Sequence, residues 1–138
     1  MYKIKNVTAV VISILAAGLI FPSCKSSSTS TTLGDWQNRS EMDGVARSEA
    51  VSFVIGDSAY IATGYDGTYR LADVWQYNPA LDSWRQKADL PGTPRSSAVA
   101  FTLNGKGYVG TGYDGANKLN DFWQYDPTAN SWTRKADF

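Results

Sequence analysis

The sequence predicts an all-β protein in which one structural unit occurs twice. Residues 47–90 align with residues 95–138 at a constant offset of 48, without a gap and with half of the positions identical. Both copies alternate apolar and polar residues in short runs that end at Gly, Pro, Asn or Asp, as β-strands do. Self-similarity at this period is typical of a repeat architecture, in which each unit buries its apolar face against a neighbour.

Each copy predicts four short antiparallel strands. The expected strands are residues 49–55, 59–65, 73–77 and 83–87 in the first copy and residues 98–103, 107–113, 121–125 and 131–135 in the second. Gly56-Asp57 is a two-residue turn signal, and Pro79 ends the third strand because proline cannot donate a sheet hydrogen bond. Four strands in roughly 45 residues correspond to one blade of a β-propeller.

Large aromatic residues are expected to form the core between blades. They recur at the same places in both copies, together with one glycine each: Trp75, Tyr77, Trp84 and Gly64, then Trp123, Tyr125, Trp132 and Gly112. Each aromatic ring buries about 150–250 Å² when it is covered. We expect the six rings to face the next blade, and the two glycines to leave room for the backbone or ring of that neighbour.

The motif Asp-x-Trp-Gln-Tyr-x-Pro indicates the type of blade. It occupies residues 73–79 and 121–127, each followed at the same distance by Ser-Trp. These segments resemble the kelch family, whose Gly-Gly doublet reads Thr-Gly here, at residues 63–64 and 111–112. The resemblance covers residues 33–138. It implies a partial kelch-type β-propeller, similar to the central domain of galactose oxidase.

The first part of the repeat region is expected to be an incomplete blade. Asp35-Trp36 precedes Ser83-Trp84 by the same offset that separates the two copies, which predicts a lone outer strand at residues 33–46, then blades at 47–90 and 91–138. Two blades cannot close a ring, which needs about 4–8. Two alternatives remain open. The chain is the N-terminal part of a longer propeller, or it is a two-blade subunit of a homo-oligomeric propeller.

The N-terminus has the order of a secretory signal. Two lysines precede an apolar run at residues 7–20, too short for a typical spanning helix, and Cys24, the one cysteine, follows a small residue. This resembles a bacterial lipoprotein signal. The resemblance implies an apolar signal-peptide helix at residues 1–23, lipid on Cys24, a Ser/Thr-rich tether at residues 24–32, and export to a bacterial membrane, the outer membrane in particular. Ordinary cleavage that leaves a free thiol, and an uncleaved anchor, are the alternatives.

Composition excludes several kinds of chemistry. The chain has no histidine, which removes Ser-His-Asp and Cys-His nucleophiles, the usual zinc and copper sites, and the copper chemistry of galactose oxidase. Asp66 and Asp114 supply one carboxylate per Tyr-Asp-Gly turn, too few for Ca²⁺, so we expect them to cap backbone N–H groups. Asp73 and Asp121 are expected to bond loop backbone. We predict no catalytic residue, no metal and no cofactor.

The charge balance argues against nucleic acid as a partner. The chain has 13 basic and 13 acidic side chains, and loss of residues 1–23 with their two lysines leaves 11 basic against 13 acidic. A mildly acidic domain lacks the basic face that phosphate contacts need.

The candidate ligand-binding residues lie at one end of the predicted blades. They are Arg47 and Arg95, which open the first strands, and Tyr69, Arg70, Asn117 and Lys118 in the loops after the second strands. In kelch propellers the first strand of a blade lines the central channel. The resemblance therefore implies a ring of arginines that could grip anionic groups at the channel mouth. A structural salt bridge for both arginines is the alternative.

These observations favour a non-enzymatic, membrane-tethered kelch module that binds a protein or carbohydrate partner through its loops. One alternative is the N-terminal part of a kelch-type enzyme, such as a sugar mutarotase or oxidase, with its active site in further blades. Such an enzyme predicts His, Glu or Cys at channel-facing positions downstream of Phe138. A purely structural spacer is a third interpretation.

Overall fold

The computed structural model describes Gly34 and residues 36–138. The signal peptide, Cys24 and the tether lie outside the described residues, so what the sequence indicates for them stays a prediction. Within the described part of the chain, no helix has the length and hydropathy to cross a membrane. The strands of the described residues lie in the compact unit Gln37–Phe138.

Within residues 36–138, eight strands form two four-stranded antiparallel sheets, here called blade 1 and blade 2. Blade 1 contains β1 (Val51–Ile55), β2 (Ser58–Ala62), β3 (Val74–Asn78) and β4 (Ser83–Lys87), and blade 2 contains β5 (Val99–Leu103), β6 (Lys106–Gly110), β7 (Phe122–Asp126) and β8 (Ser131–Arg134). In both sheets the order in space is the order in sequence. The prediction of two four-stranded blades is confirmed.

The second strand of each blade is shorter than predicted. β2 ends at Ala62 and β6 ends at Gly110, before residues 65 and 113. The next residues, Thr63 and Thr111, have φ angles of 62° and 58°. Extended backbone requires negative φ, so the chain must leave the sheet there.

Residues 36–46 do not form the predicted outer strand, although the repeat register extends into them. The N–H of Ser40 donates to Asp82 Oδ1 at 3.0 Å, and Trp84 Nε1 donates to the carbonyl of Ser40 at 3.0 Å. Ala88, the equivalent of Ser40 in the next repeat, makes the same two bonds in blade 2. A fourth strand pairs with a third strand, and the described residues before 47 supply none.

The two blades pack face to face through one apolar interface. We call the side of a blade that is directed toward the next blade in the repeat its trailing face, and the opposite side its leading face. The trailing face of blade 1 includes Val51, Phe53, Tyr60, Ala62, Val74 and Leu90, and the leading face of blade 2 includes Ala98, Ala100, Gly107, Val109, Trp123, Tyr125 and Trp132. Phe53 stacks on Tyr60 with centroids 5.1 Å apart, and Tyr60 meets Tyr125 edge-on at 5.7 Å. This packing joins the two sheets.

The aromatic side chains of the repeat motif face the preceding blade, not the next one. All six lie on leading faces: Trp75, Tyr77 and Trp84 in blade 1 and Trp123, Tyr125 and Trp132 in blade 2. Tyr125 is fully buried against blade 1, so the expected aromatic core exists. The expected direction was wrong because alternation along a strand assigns residues to one side of the sheet but does not say which neighbour covers it.

Gly107, and neither Gly64 nor Gly112, makes room for the neighbouring blade. A Cβ at Gly107 would lie 2.4 Å from Cε2 of Phe53. A Cβ at Gly64 would lie 2.9 Å from the carbonyl oxygen of Ser48 in its own blade, and Gly112 is crowded in the same way. Both have positive φ, +116° and +100°, so glycine is required there by the blade itself. This corrects the role expected for the two glycines.

Replacing Gly107 by alanine should destabilise the protein by about 1–3 kcal/mol, because the added methyl overpacks the interface against Phe53. Urea denaturation of the full chain measures the change. Ala59→Gly, at the equivalent place on the leading face of blade 1, where no blade of the described residues packs, is the control and should cost no more than about 1 kcal/mol. Equal effects of the two changes would contradict the role of Gly107.

Candidate functional site

One end of the blades carries the candidate site, here called the loop face. It consists of the β2–β3 loop at residues 63–73, the β6–β7 loop at residues 111–121, and the lead-in segments to β1 and β5 at residues 47–50 and 95–98. Isolated bridges join each loop to the lead-in segment of its own blade. The loops and the arginines therefore share one end, as the antiparallel order predicts.

Each loop is held by an aspartate cap. Asp66 Oδ1 accepts hydrogen bonds from the backbone N–H groups of Thr68 and Tyr69 at 2.7 and 2.6 Å. Asp114 caps the second loop in the same way. The bond from Tyr69, followed by that from Thr68, lowers the pKa of Asp66, because both stabilise the charged carboxylate. These aspartates fix the loop conformation, as expected from their Tyr-Asp-Gly turns.

A buried ion pair ties the lead-in segment of blade 1 to the start of β3. Arg47 Nη1 and Nη2 donate to Asp73 Oδ1 and Oδ2 at 2.6 and 2.7 Å, and Nη1 also donates to the carbonyl of Thr63 at 3.1 Å. Trp75 Nε1 donates to Asp73 Oδ2 at 2.7 Å. Burial alone would raise the pKa of Asp73, but the hydrogen bonds from Arg47 and Trp75 outweigh it and lower that pKa.

Arg95 repeats this arrangement in blade 2 and adds a link to blade 1. Its Nη2 donates to Asp121 Oδ2 at 2.7 Å, and hydrogen bonding from Arg95 lowers the pKa of Asp121. The backbone N–H of Arg95 donates to the carbonyl of Leu71 at 3.1 Å, and its carbonyl accepts from Gly64 N–H at 2.9 Å. Arg95 therefore joins the core of its own blade to the loop of the preceding one.

Both arginines form structural salt bridges, which is the alternative to a ligand-binding ring. The side chains of Arg47 and Arg95 are 4% and 0% exposed, and their guanidinium groups are bound within the blade. Asp73 and Asp121 bond a guanidinium and an indole, which corrects the expectation of loop backbone as their partner. The partner arginine lies 26 residues earlier in each case, a distance at which sequence spacing carries no signal.

The loop residues expected to bind a ligand divide into one ordered cation and three exposed side chains. The guanidinium of Arg70 lies between two rings, with its carbon 4.6 Å from the centroid of Tyr65 and 5.0 Å from that of Tyr113. Tyr69, Asn117 and Lys118 are exposed on the loops beside it. The structure thus brings the four onto one face and leaves Arg47 and Arg95 beneath it.

Sequence reasoning missed the tyrosines that hold Arg70. The matching positions of Tyr65 and Tyr113 in the two copies suggest blade core, but both lie on the loop face, where their hydroxyls donate to the carbonyls of Gly67 and Gly115 at 2.7 and 2.6 Å. The available signal was their position at the end of the second strand, next to the Asp-Gly turn.

A cleft of about 300 Å³ opens on the loop face of blade 2. It is lined by Ser97, Thr111, Gly112, Tyr113, Lys118 and Leu119. Lys118 is the one charged residue in this lining. Among residues 36–138, no group of three or more Asp, Glu, Cys or His residues is placed to hold a metal ion.

The sequence profile of the Kelch motif matches residues 46–91 and 94–138, the two blades and their lead-in segments. The chain belongs to the kelch family. A solved structure described as "Structure of YjhT" is similar to the chain, with 19% sequence identity and a TM-score of 0.69. The similarity covers 75% of this chain and 42% of that one, so the kelch chain described here spans less than half the length of that protein. A search of curated proteins finds no match.

Asp121→Asn should destabilise the protein at neutral pH by about 3–5 kcal/mol, because it leaves the buried guanidinium of Arg95 without a counter-charge. The pKa of Asp121 is lowered in the folded state, so its contribution is present above the unfolded pKa of about 3.9 and is lost as pH falls through the folded value. The difference between wild type and variant should therefore shrink at acidic pH. Urea midpoints from neutral pH to about pH 2 measure this.

Asp137→Asn is the matched control, since Asp137 pairs with Arg134 on the exposed surface at 2.9 Å. An exposed pair contributes about 1 kcal/mol or less. A loss in Asp137→Asn as large as that in Asp121→Asn, or a difference for Asp121→Asn that does not change with pH, would contradict the assignment.

Proposed function

We propose that this chain is a kelch module, tethered by lipid to a bacterial membrane, that binds a protein or carbohydrate partner through its loop face and performs no chemistry there. The observation that supports the binding proposal is the position of the Arg70 guanidinium between the rings of Tyr65 and Tyr113. Kelch repeats build interaction surfaces on a rigid scaffold, and loops on a rigid scaffold are where binding residues concentrate.

Arg70 has the properties of a recognition group. Its guanidinium makes no hydrogen bond to residues 36–138, and its Nε is buried without a partner. The rings of Tyr65 and Tyr113 cover the guanidinium and restrict its movement. Its terminal N–H groups stay available for a planar acceptor such as a carboxylate, which a guanidinium binds through two parallel hydrogen bonds. Exposed Tyr69 beside it supplies an apolar surface with a polar tip, suited to a sugar or a peptide.

Arg70→Ala should weaken binding to an acidic ligand by roughly tenfold or more, because charge-assisted hydrogen bonds contribute about 1.5–3 kcal/mol. Titration of the full chain with oligosaccharides that contain uronic acid, and with their neutral counterparts, measures this. Arg85→Ala, an exposed arginine on β4 away from the loop face, is the control. Equal affinity of Arg70→Ala and wild type for every acidic probe that binds would contradict the assignment.

The tether proposal rests on the sequence of residues 1–32. Cells that express the chain should incorporate labelled palmitate into it, and Cys24→Ser should abolish the label because Cys24 supplies the one thiol. Electrophoresis of the immunoprecipitated chain measures incorporation. Label that persists in Cys24→Ser would contradict lipidation at this residue, and the binding experiment is independent of this result.

A further inference from the structure

Comparison of the two blades separates the scaffold of the loop face from the residues that are particular to one place on it. The lead-in segments at residues 47–50 and 95–98 differ at a single position, where Glu49 of blade 1 is replaced by Ser97 in blade 2. The loops differ at residues 68, 69, 70 and 72, and Lys118 takes the place of Arg70. The buried arginine, the capping aspartate and the turn glycines are the same in both copies. Within residues 36–138, a glutamate and an arginine therefore occupy these two positions of the loop face once.

Glu49 is held at the boundary between the blades by its own equivalent in blade 2. Ser97 Oγ donates to Glu49 Oε2 at 2.8 Å, and the N–H of Ser97 donates to the carbonyl of Glu49 at 3.0 Å. The side chain of Glu49 is exposed, and its Oε1 accepts no hydrogen bond from residues 36–138. The φ angle is positive in both blades, 55° at Glu49 and 53° at Ser97, a conformation that does not favour glutamate. The backbone thus gives no reason for this residue, and one carboxylate oxygen stays open to a ligand.

Arg70 lies across the same boundary. The rings on either side of its guanidinium belong to Tyr65 of blade 1 and Tyr113 of blade 2. These two tyrosines form backbone bridges with residues 48 and 96, respectively. Glu49 and Ser97 are the residues that follow those two positions in the chain. The guanidinium and the carboxylate are therefore both held at the contact between blade 1 and blade 2.

The two charges influence each other without forming an ion pair. The hydroxyl groups of Ser96 and Ser97 lower the pKa of Glu49, and the positive charge of Arg70 lowers it further, so the carboxylate is ionised at neutral pH. The ion pairs within 4.0 Å among residues 36–138 do not include Glu49 with Arg70. A ligand that offers an acceptor to Arg70 and a donor to Glu49 can therefore bridge them.

This arrangement selects the groups that lie beside the anion of a ligand. A guanidinium alone binds carboxylate and phosphate groups alike. An ionised carboxylate only accepts hydrogen bonds, so the ligand groups that reach Glu49 must be donors, and a second anion there meets a like charge. The hydroxyls beside the carboxylate of a sugar acid are such donors. The ring of Tyr69, which is 69% exposed, offers an apolar surface for the C–H groups of the sugar.

We propose that Glu49 determines the specificity of the loop face, and that the ligand is a uronic acid sugar with free hydroxyls beside its carboxylate. This inference rests on the binding function proposed above and names the class of ligand. The sugar carboxylate binds the terminal N–H groups of Arg70, and an adjacent hydroxyl donates to Glu49 Oε1. Ser97 is a positioning residue that holds the Glu49 carboxylate. Sugars that carry sulfate or phosphate beside the acid are rejected.

The test uses one uronic acid oligosaccharide in three forms, with its hydroxyls free, O-acetylated or O-sulfated, titrated into the full chain. The wild type should bind the free form at least tenfold more tightly than either derivative. Acetylation keeps the charge but removes the donors, and sulfation also adds negative charge opposite Glu49.

Glu49→Gln should change two of these affinities in opposite directions. The free form should bind more weakly, because an amide oxygen is a poorer acceptor than a carboxylate. The sulfated form should bind more tightly, because the repulsion is removed. The preference for the free over the sulfated form should fall at least tenfold, whereas damage to the fold would weaken all forms together. Asp57→Asn, which removes the same charge from the exposed β1–β2 turn at the opposite end of blade 1, should leave the three affinities unchanged.

The outcomes separate this inference from the binding function. If Glu49→Gln alters all three affinities equally while Arg70→Ala still weakens binding, the role of Glu49 is overturned and the function of the loop face stands. Failure of the free form to bind the wild type, or its binding no more tightly than the sulfated form, would overturn the class of ligand. Tighter binding of a peptide that carries an ammonium group beside a carboxylate would also overturn it, since Glu49 would then recognise a cation.

Discussion

Buried Arg95 connects its own blade, the preceding blade and the loop face between them. Its side chain pairs with Asp121 and so fixes the lead-in segment of blade 2 against the start of β7. Its backbone bonds Leu71 and Gly64 in the loop of blade 1. One residue therefore closes its blade, joins two blades and sets the position of the neighbouring loop. Because the charge is buried, its stabilising effect depends on an intact partner.

The hydrogen bonds of Arg95 also determine the geometry of the loop face. The β2–β3 loop is bonded to the lead-in segment of blade 2 on one side and capped by Asp66 on the other. Arg70 extends from this loop between Tyr65 of its own blade and Tyr113 of the next. A cation held between two blades exists only when both are docked, so the candidate binding group is a product of the repeat and not of either unit alone.

The elements whose signals are local could be predicted from the sequence. The fourth strand of blade 1 was predicted at residues 83–87 and is found there, because turn residues bound it on both sides. Long-range features were not predictable in the same way. The partner of Asp73, the clash that requires Gly107 and the clamp on Arg70 all join residues from separate strands or blades, and neither periodicity nor turn chemistry reports on such contacts. The ends of β2 and β6 depend on positive φ at threonine, which residue preference does not suggest.

The contact between Ser40 and Trp84 shows that the residues that complete a blade extend beyond one sequence repeat. The indole on the fourth strand of each blade is satisfied by a carbonyl that lies 44 residues earlier in the chain, before that blade begins. A tandem duplication of one whole unit therefore preserves the contact wherever the DNA is cut, since every copy supplies the carbonyl for its successor. Such an array can grow or shrink by recombination between units without the need to evolve a new junction.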